Sequence, residues 1–202
     1  MGLISSHNKK TTISTVVASS EYKIDSNTVK KHLYTLASDE MEGRASGTAG
    51  IEKAAVYIED EFERIGLSPF KDLETFRQTF TFQNSSTKKE ITASNIIGVL
   101  EGKSKKNEFV IISAHYDHLG ILKKEGQLDR IYNGANDNAS GVTGVLVLAE
   151  YFKNKNINER TIVFIAFTAE EMGLMGSTHF GKGIDPKKFV AGINLEMIGK
   201  IP

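Results

Sequence analysis

The stretch FVIISAHYDH, residues 109–118, decides the fold of this 202-residue chain. Apolar side chains occupy consecutive positions from Phe109 to Ile112, which predicts a strand that is buried on both of its faces. A strand of this kind lies in the middle of a sheet that helices cover on both sides. His115 and Asp117 follow at once, so polar groups stand at the carboxyl end of the strand.

Two further segments have the same character as this strand. TIVFIAFT, residues 161–168, leads into Glu170 and Glu171, and AGINL, residues 191–195, leads into Glu196. We expect all three segments to be buried strands, with amphipathic helices between them. This alternation predicts an α/β fold, a three-layer sandwich with a mixed, mostly parallel sheet and helices on both faces.

The other elements follow from apolar spacing and from turn residues. Apolar side chains recur at i, i+3, i+4 and i+7 in the helical segments, and Gly66 ends the second of them. The alternating residues Phe76, Phe80 and Phe82 predict a half-buried strand. The predicted helices cover about residues 26–36, 51–65, 139–152 and 174–180, and two more strands cover residues 75–83 and 95–100.

Composition excludes several classes of protein. The 25 basic residues balance the 25 acidic ones, whereas proteins that bind nucleic acids or membrane surfaces usually have a basic excess. We therefore expect neither nucleic acid nor membrane as a partner, and no apolar run approaches the ~18 residues of a membrane helix. Cysteine is absent, which excludes disulfides, a cysteine nucleophile and thiolate metal ligands.

Polar residues at the three strand ends are the main functional signal. The carboxyl ends of strands in open α/β sheets form ligand sites, so His115, Glu170, Glu171 and Glu196 are expected to converge. Asp137 joins them from the loop before the third helix. Neighbouring carboxylates repel each other and are costly to desolvate unless a cation neutralises them. Imidazole and carboxylate ligands without thiolates suit zinc, manganese or cobalt, and zinc most often.

Each of these residues also has a simpler interpretation. A histidine after a strand is often a packing residue, two glutamates before a helix favour its dipole, and Asp137 can cap a helix. Any one of these interpretations is the better one when a residue is taken alone. Their coincidence at the ends of all three strands favours a metal site.

Four motifs in order resemble those of the di-zinc aminopeptidases of metallopeptidase clan MH. They are HYDHLG (115–120), NGANDNASGV (133–142), FTAEEMGLMGS (167–177) and NLEMIG (194–199), and LASDEMEGRASGTAG (36–50) is similar to the usual lead-in. Glutamate carboxypeptidase II, glutaminyl cyclase and the transferrin receptor ectodomain are relatives of this family. Four motifs at compatible spacings are far more specific than any one alone.

The resemblance implies a set of metal ligands. His115 and Glu196 would bind the first metal, Glu171 the second, and Asp137 would bridge both through its two carboxylate oxygens. Glu196 departs from the family, which usually has aspartate at that position. The resemblance also implies a cis peptide bond between Asp137 and Asn138.

The resemblance further implies two residues that act beside the metals. Glu170 would be the general base for a metal-activated water, and Asp117 would orient the imidazole of His115. His118 matches a common variant of the motif and receives no role. Packing or surface roles are expected for the remaining histidines, His7, His32 and His179.

The implied activity is a zinc-dependent aminopeptidase that hydrolyses N-terminal peptide bonds of substrates with a free N-terminus. Two alternatives stay open: a zinc amidohydrolase or cyclase with another substrate, and a non-catalytic metal-binding module. The family is commonly exported, which predicts a secreted or periplasmic protein, although no signal peptide is visible in residues 1–20.

The ligand count adds an expectation about the carboxyl terminus. In the family the second metal takes a histidine from a downstream segment, whereas this sequence ends at Pro202. We expect residues 1–22 to form a flexible tail and residues 23–202 a zinc peptidase catalytic domain that is truncated at its C-terminus. One tight Zn²⁺ site is then expected in place of two, with little aminopeptidase activity and with self-association through an exposed sheet edge.

Overall fold

The computed structural model describes residues 22–122 and 129–199, so the predicted tail lies outside the described residues except for Tyr22. The four helices of this part of the chain are α1 (Ser26–Leu36), α2 (Ala49–Ile65), α3 (Ser140–Lys155) and α4 (Met175–Lys182). The strands are β1 (Ser68–Pro69), β2 (Arg77–Gln83), β3 (Glu90–Leu100), β4 (Lys105–His115), β5 (Gly120–Ile121), β6 (Ile131–Tyr132), β7 (Arg160–Phe167) and β8 (Phe189–Asn194). Short helical turns cover Asp39–Arg44, Ala135–Ala139 and Pro186–Lys188.

The main sheet has six strands in the described residues. β7, β4 and β8 lie side by side and parallel, whereas β3 pairs antiparallel with β7 on one edge and with β1 and β2 on the other. The sheet is mixed as predicted, but the expectation that it is mostly parallel is correct only for the β7–β4–β8 half. The short connection 84–89 joins β2 to β3 as a hairpin, and parallel neighbours need a longer crossover. α3 and α4 supply those crossovers.

Helices cover both faces of the sheet, which confirms the predicted three-layer arrangement. α1, α2 and α3 lie on one face, where Ile58, Phe62 and Leu146 belong to the larger apolar cluster. α4 lies on the other face, where Phe180 packs with Val163 and Ile165 of β7. None of the helices in the described ranges is long and apolar enough to cross a membrane.

The sequence of α2 determines which side of the helix is buried and where the helix ends. Ala54, Ile58 and Phe62 recur on one side of the helix and are buried against the sheet. The helix ends where Gly66 adopts a left-handed φ of 79° and its amide donates to the carbonyl oxygen of Phe62. The predicted end of this helix is therefore confirmed.

β8 differs from its prediction. The run of apolar residues in this segment predicted a buried strand, but β8 lies at the edge of the sheet, and Val190 and Ile193 are each 51% exposed. Among the described residues β8 pairs only with β4. Apolar side chains on both faces indicate what a strand is suited to pack against, and they do not show whether a neighbour lies beside it.

An open, uncharged edge of this kind favours pairing between chains. We predict that the wild-type chain associates as its concentration rises, and that the double variant Val190→Lys/Ile193→Lys stays monomeric in sedimentation experiments. Val56→Lys, an exposed change on α2, is the matched control and should associate like wild type. A wild-type chain that remains monomeric at high concentration would contradict this prediction.

Candidate metal centre

Three parallel strands deliver the predicted polar residues to one edge of the sheet. β4 ends at His115, β7 is followed by the turn that carries Glu170 and Glu171, and β8 is followed by Glu196. The turn before α3 places Asp137 beside them. The expected convergence of these five residues is what the structure shows.

The first group of donors consists of His115, Asp137 and Glu196. The imidazole Nε2 of His115 lies 3.2 Å from Oδ1 of Asp137 and 3.3 Å from Oε1 of Glu196. Ligand atoms on a tetrahedral zinc with bonds of about 2.1 Å lie about 3.4 Å apart. The two distances from His115 match this spacing, and all three donor atoms lie within 4.8 Å of one another, so the group could hold a metal ion.

Asn138 fixes the carboxylate of Glu196. The buried Asn138 side chain donates through Nδ2 to Oε2 of Glu196 at 3.2 Å, and its Oδ1 accepts from the amides of Gly141 and Met197. The peptide bond between Asp137 and Asn138 is cis, as the resemblance implied. Glutamate thus reaches the first group of donors despite being one methylene longer than the usual aspartate.

The second group of donors consists of His118, Asp137 and Glu171. Nδ1 of His118 lies 3.0 Å from Oε1 of Glu171 and 3.9 Å from Oδ2 of Asp137. Asp137 contributes one carboxylate oxygen to each group, so it stands between them. His118 received no role in the sequence analysis, and the structure adds it to this group. The loop after β4 has no periodicity that reveals where its side chains point.

Asp117 makes hydrogen bonds to residues beside both groups of donors. Its buried carboxylate accepts hydrogen bonds from the amides of Glu170 and Glu171 at 3.0 and 3.2 Å and from the hydroxyl of Ser46 at 3.3 Å. Its backbone carbonyl lies 3.1 Å from Nδ1 of His115. A proton on Nδ1 would donate to that carbonyl, which leaves Nε2 free to bind a metal.

The electrostatic field of the site favours positive charge at His115. Burial alone lowers the pKa of this imidazole, but the carboxylates of Asp117, Glu196 and Glu170 outweigh burial and raise the pKa to about 9. The same carboxylates would favour a metal cation at Nε2, and binding would displace the proton.

Glu170 belongs to neither group of donors. It lines a cavity together with Phe167, Leu174 and Ser177, and His115 and Glu196 border the same cavity. Burial raises its pKa, the charge of His115 lowers it, and the carboxylates of Asp117, Glu171 and Glu196 raise it further, so that the net pKa is raised. A carboxylate with a raised pKa accepts a proton more readily at neutral pH.

Two of the remaining histidines pack as expected. The His179 ring stacks on Phe80 with a centroid distance of 4.5 Å, and the buried His32 bonds to the Tyr57 hydroxyl at 2.7 Å. His7 lies outside the described residues.

A family comparison agrees with this geometry. The model of Peptidase family M28 matches residues 95–201, which is more than half of the chain. The matched region contains all the residues of both donor groups. The chain belongs to Peptidase family M28.

Curated relatives include two bacterial proteins. Aminopeptidase YwaD of Bacillus subtilis is 36% identical over 112 residues, which are 54% of this chain and 22% of that protein. The alkaline phosphatase isozyme conversion protein of Escherichia coli is 30% identical over 180 residues, which are 84% of this chain and 50% of that protein. The chain thus spans half or less of the length of these relatives.

Solved structures share the fold. A Zn-dependent exopeptidase from Parabacteroides distasonis superposes with a TM-score of 0.71 at 20% identity and covers 90% of this chain and 64% of its own. A glutaminyl cyclase from Porphyromonas gingivalis gives a TM-score of 0.72 at 18% identity, with 87% and 62% covered. At these identities the similarity shows the α/β fold alone.

The two groups of donors predict a stepwise zinc titration. We expect one tight zinc at the first group and a weaker one at the second, where the 3.9 Å gap between His118 and Asp137 must close. His118→Ala should abolish the weaker step in calorimetry and leave the tight one. His179→Ala serves as the matched control. An unchanged second step in His118→Ala would contradict the assignment.

Proposed function

We propose that this chain is the metal-binding core of a zinc-dependent exopeptidase that removes N-terminal residues from peptides. The observation that carries the proposal is the position of Glu170, a carboxylate with a raised pKa that lies beside two groups of metal donors joined by Asp137. Membership in Peptidase family M28 and the similarity to an aminopeptidase over about half of the chain support it.

The donors present suit zinc, and the first group would hold it most tightly. Bound zinc supplies two functions: it lowers the pKa of a coordinated water toward ~7 and it polarises a carbonyl group. Glu170 accepts the proton of the attacking water on its carboxylate and returns it to the leaving amine. Asp117 keeps Glu170 in place through the amide hydrogen bond between them.

Two features of the site support a peptide substrate with a free N-terminus. The carboxylates of Glu171 and Asp137 concentrate negative charge around His118, and this charge attracts a substrate ammonium. Phe167 and Leu174 give the cavity beside Glu170 an apolar wall for a substrate side chain.

A second candidate is a cyclase or amidohydrolase that acts on another substrate. The specific observation in its favour is that the two groups of donors differ: His115 lies 3.2 and 3.3 Å from its two carboxylate partners, whereas His118 lies 3.0 and 3.9 Å from its own. Such a site suits one zinc. Aminoacyl-anilides and peptides with an N-terminal glutamine, assayed side by side, would separate the two candidates.

A non-catalytic module is the third candidate. A protein that only binds metal has no use for a carboxylate placed like that of Glu170, and this observation weighs against it. Export to the periplasm or the cell exterior is part of our proposal and rests on the family resemblance.

Glu170→Gln tests the proposed base. We expect hydrolysis of an aminoacyl-anilide, measured at high enzyme concentration with zinc present, to fall by about 10²- to 10⁴-fold because the amide cannot accept a proton. Zinc content should not change, since Glu170 lies outside both groups of donors. Glu63→Gln, an exposed change on α2, is the matched control.

Two results would contradict this assignment. Loss of zinc from Glu170→Gln would make Glu170 a ligand and not a base. A zinc-loaded wild-type chain that hydrolyses none of the aminoacyl or glutaminyl substrates would overturn the proposed activity itself.

A further inference from the structure

Arg44 is the largest fully buried side chain in the described part of the protein. It lies at the end of the turn Asp39–Arg44, within the lead-in segment, and its backbone has a left-handed φ of 52°. A buried guanidinium is costly to desolvate unless all its donors are bonded. Asp117 and Asp137 of the candidate metal centre are near enough to act on its charge.

Backbone carbonyl oxygens surround the guanidinium. Nε donates to the oxygen of Tyr116 at 2.8 Å, Nη1 to those of Asn133 at 2.7 Å and Leu36, and Nη2 to that of Gly134 at 3.0 Å. All four acceptors are neutral, and no hydrogen bond to a carboxylate is found for Arg44 in the described residues. The side chain therefore joins backbone segments and does not form an ion pair.

Nearby charge keeps Arg44 cationic. Burial lowers its pKa to about 10, and the negative charges of Asp117 and Asp137 act in the opposite direction. At neutral pH the guanidinium stays protonated, so all its N–H groups remain available as donors.

The carbonyls that Arg44 binds belong to the two loops that carry the metal donors. Tyr116 stands between His115 and Asp117, and its loop is held a second time, because the amide of His118 donates to the carbonyl of Arg44 at 3.1 Å. Asn133 and Gly134 lead directly into the turn that presents Asp137.

A fixed element outside the site supports this arrangement. The Leu36 carbonyl is the last of α1, where carbonyl groups lack partners within the helix and attract cations. The Asn133 side chain adds a parallel link, because its Nδ2 donates to the Ala37 carbonyl at 2.9 Å and to Asp39 at 2.8 Å. Arg44 and Asn133 thus connect both loops that carry metal donors to the end of α1 by hydrogen bonds.

We propose that Arg44 is a positioning residue that sets the separation between the loop 115–118 and the loop 133–137, so that His115 and Asp137 meet at one metal ion. The inference rests on the proposed metal site. All the hydrogen bonds of the Arg44 side chain in the described residues go to backbone carbonyls, so it acts through the backbone.

The geometry explains why arginine is needed. Its planar fork reaches carbonyls of three segments at once, whereas the ammonium of lysine is a compact charge with three donors. The space is also tight: a Cβ on Gly134, whose φ is +56°, would lie 2.7 Å from Nη2 of Arg44 and 2.6 Å from Cδ2 of His118. This close approach leaves little room between the two loops and Arg44.

The test compares zinc affinity in the folded chain, measured by chelator competition well below the unfolding temperature. We expect Arg44→Lys to weaken the tight site by about 10- to 100-fold, the range for losing a residue that supports a ligand. The d–d absorption of bound Co²⁺ should also shift, because the donor geometry changes. Phe70→Leu, a core change in the smaller apolar cluster that includes Phe180 of α4, controls for general destabilisation and should keep wild-type affinity.

Each outcome decides for or against the proposal. Wild-type zinc affinity and an unchanged Co²⁺ spectrum in Arg44→Lys would overturn it, as would an equal loss of affinity in Phe70→Leu. If Arg44→Lys does not fold, Asn133→Ala, which removes only the parallel link, must weaken zinc in the same direction by a smaller factor, and unchanged affinity there overturns the proposal. A wild-type chain that binds no zinc would instead refute the proposed function.

Discussion

Negative charge concentrated at the carboxyl ends of the parallel strands β4, β7 and β8 is the constraint on which the rest of this structure depends. The carboxylates of Asp117 and Asp137 lie near three glutamates at the edge of an apolar sheet, and like charges this close are unstable in a medium of low dielectric. The fold supplies partial relief from within, through backbone amides to Asp117 and the buried cation of Arg44. A metal ion would neutralise the remaining negative charge. The arrangement of the strands therefore determines the chemistry of the site.

Much of this architecture could be predicted from local patterns. The doubly apolar segments 109–115 and 161–168 identify the central strands, and strands that run in parallel must bring their carboxyl ends together. The same patterns predict that His115, Glu170 and Glu196 lie at one edge of the sheet. The loop before the third helix added Asp137, and the motifs added the cis peptide after it, which the structure also has.

The features that sequence reasoning missed depend on contacts between distant segments. A pattern of apolar residues showed what β8 is suited to pack against and not that it lies at an edge. The position of His118 depends on a loop held by Arg44, 74 positions earlier in the chain. The sequence does not show whether Arg44 is solvated or buried. Its burial is evident only from the four backbone carbonyls that its side chain binds in the structure.

Asp137 offers the most direct test, because it alone belongs to both groups of donors. Wild type and Asp137→Ala would be loaded with zinc, dialysed against metal-free buffer and analysed for metal content by elemental analysis. The account predicts that wild type retains about one zinc per chain, as three protein ligands suffice for a tight site, and that Asp137→Ala retains none. Equal zinc in the two proteins, or none in wild type, would contradict it.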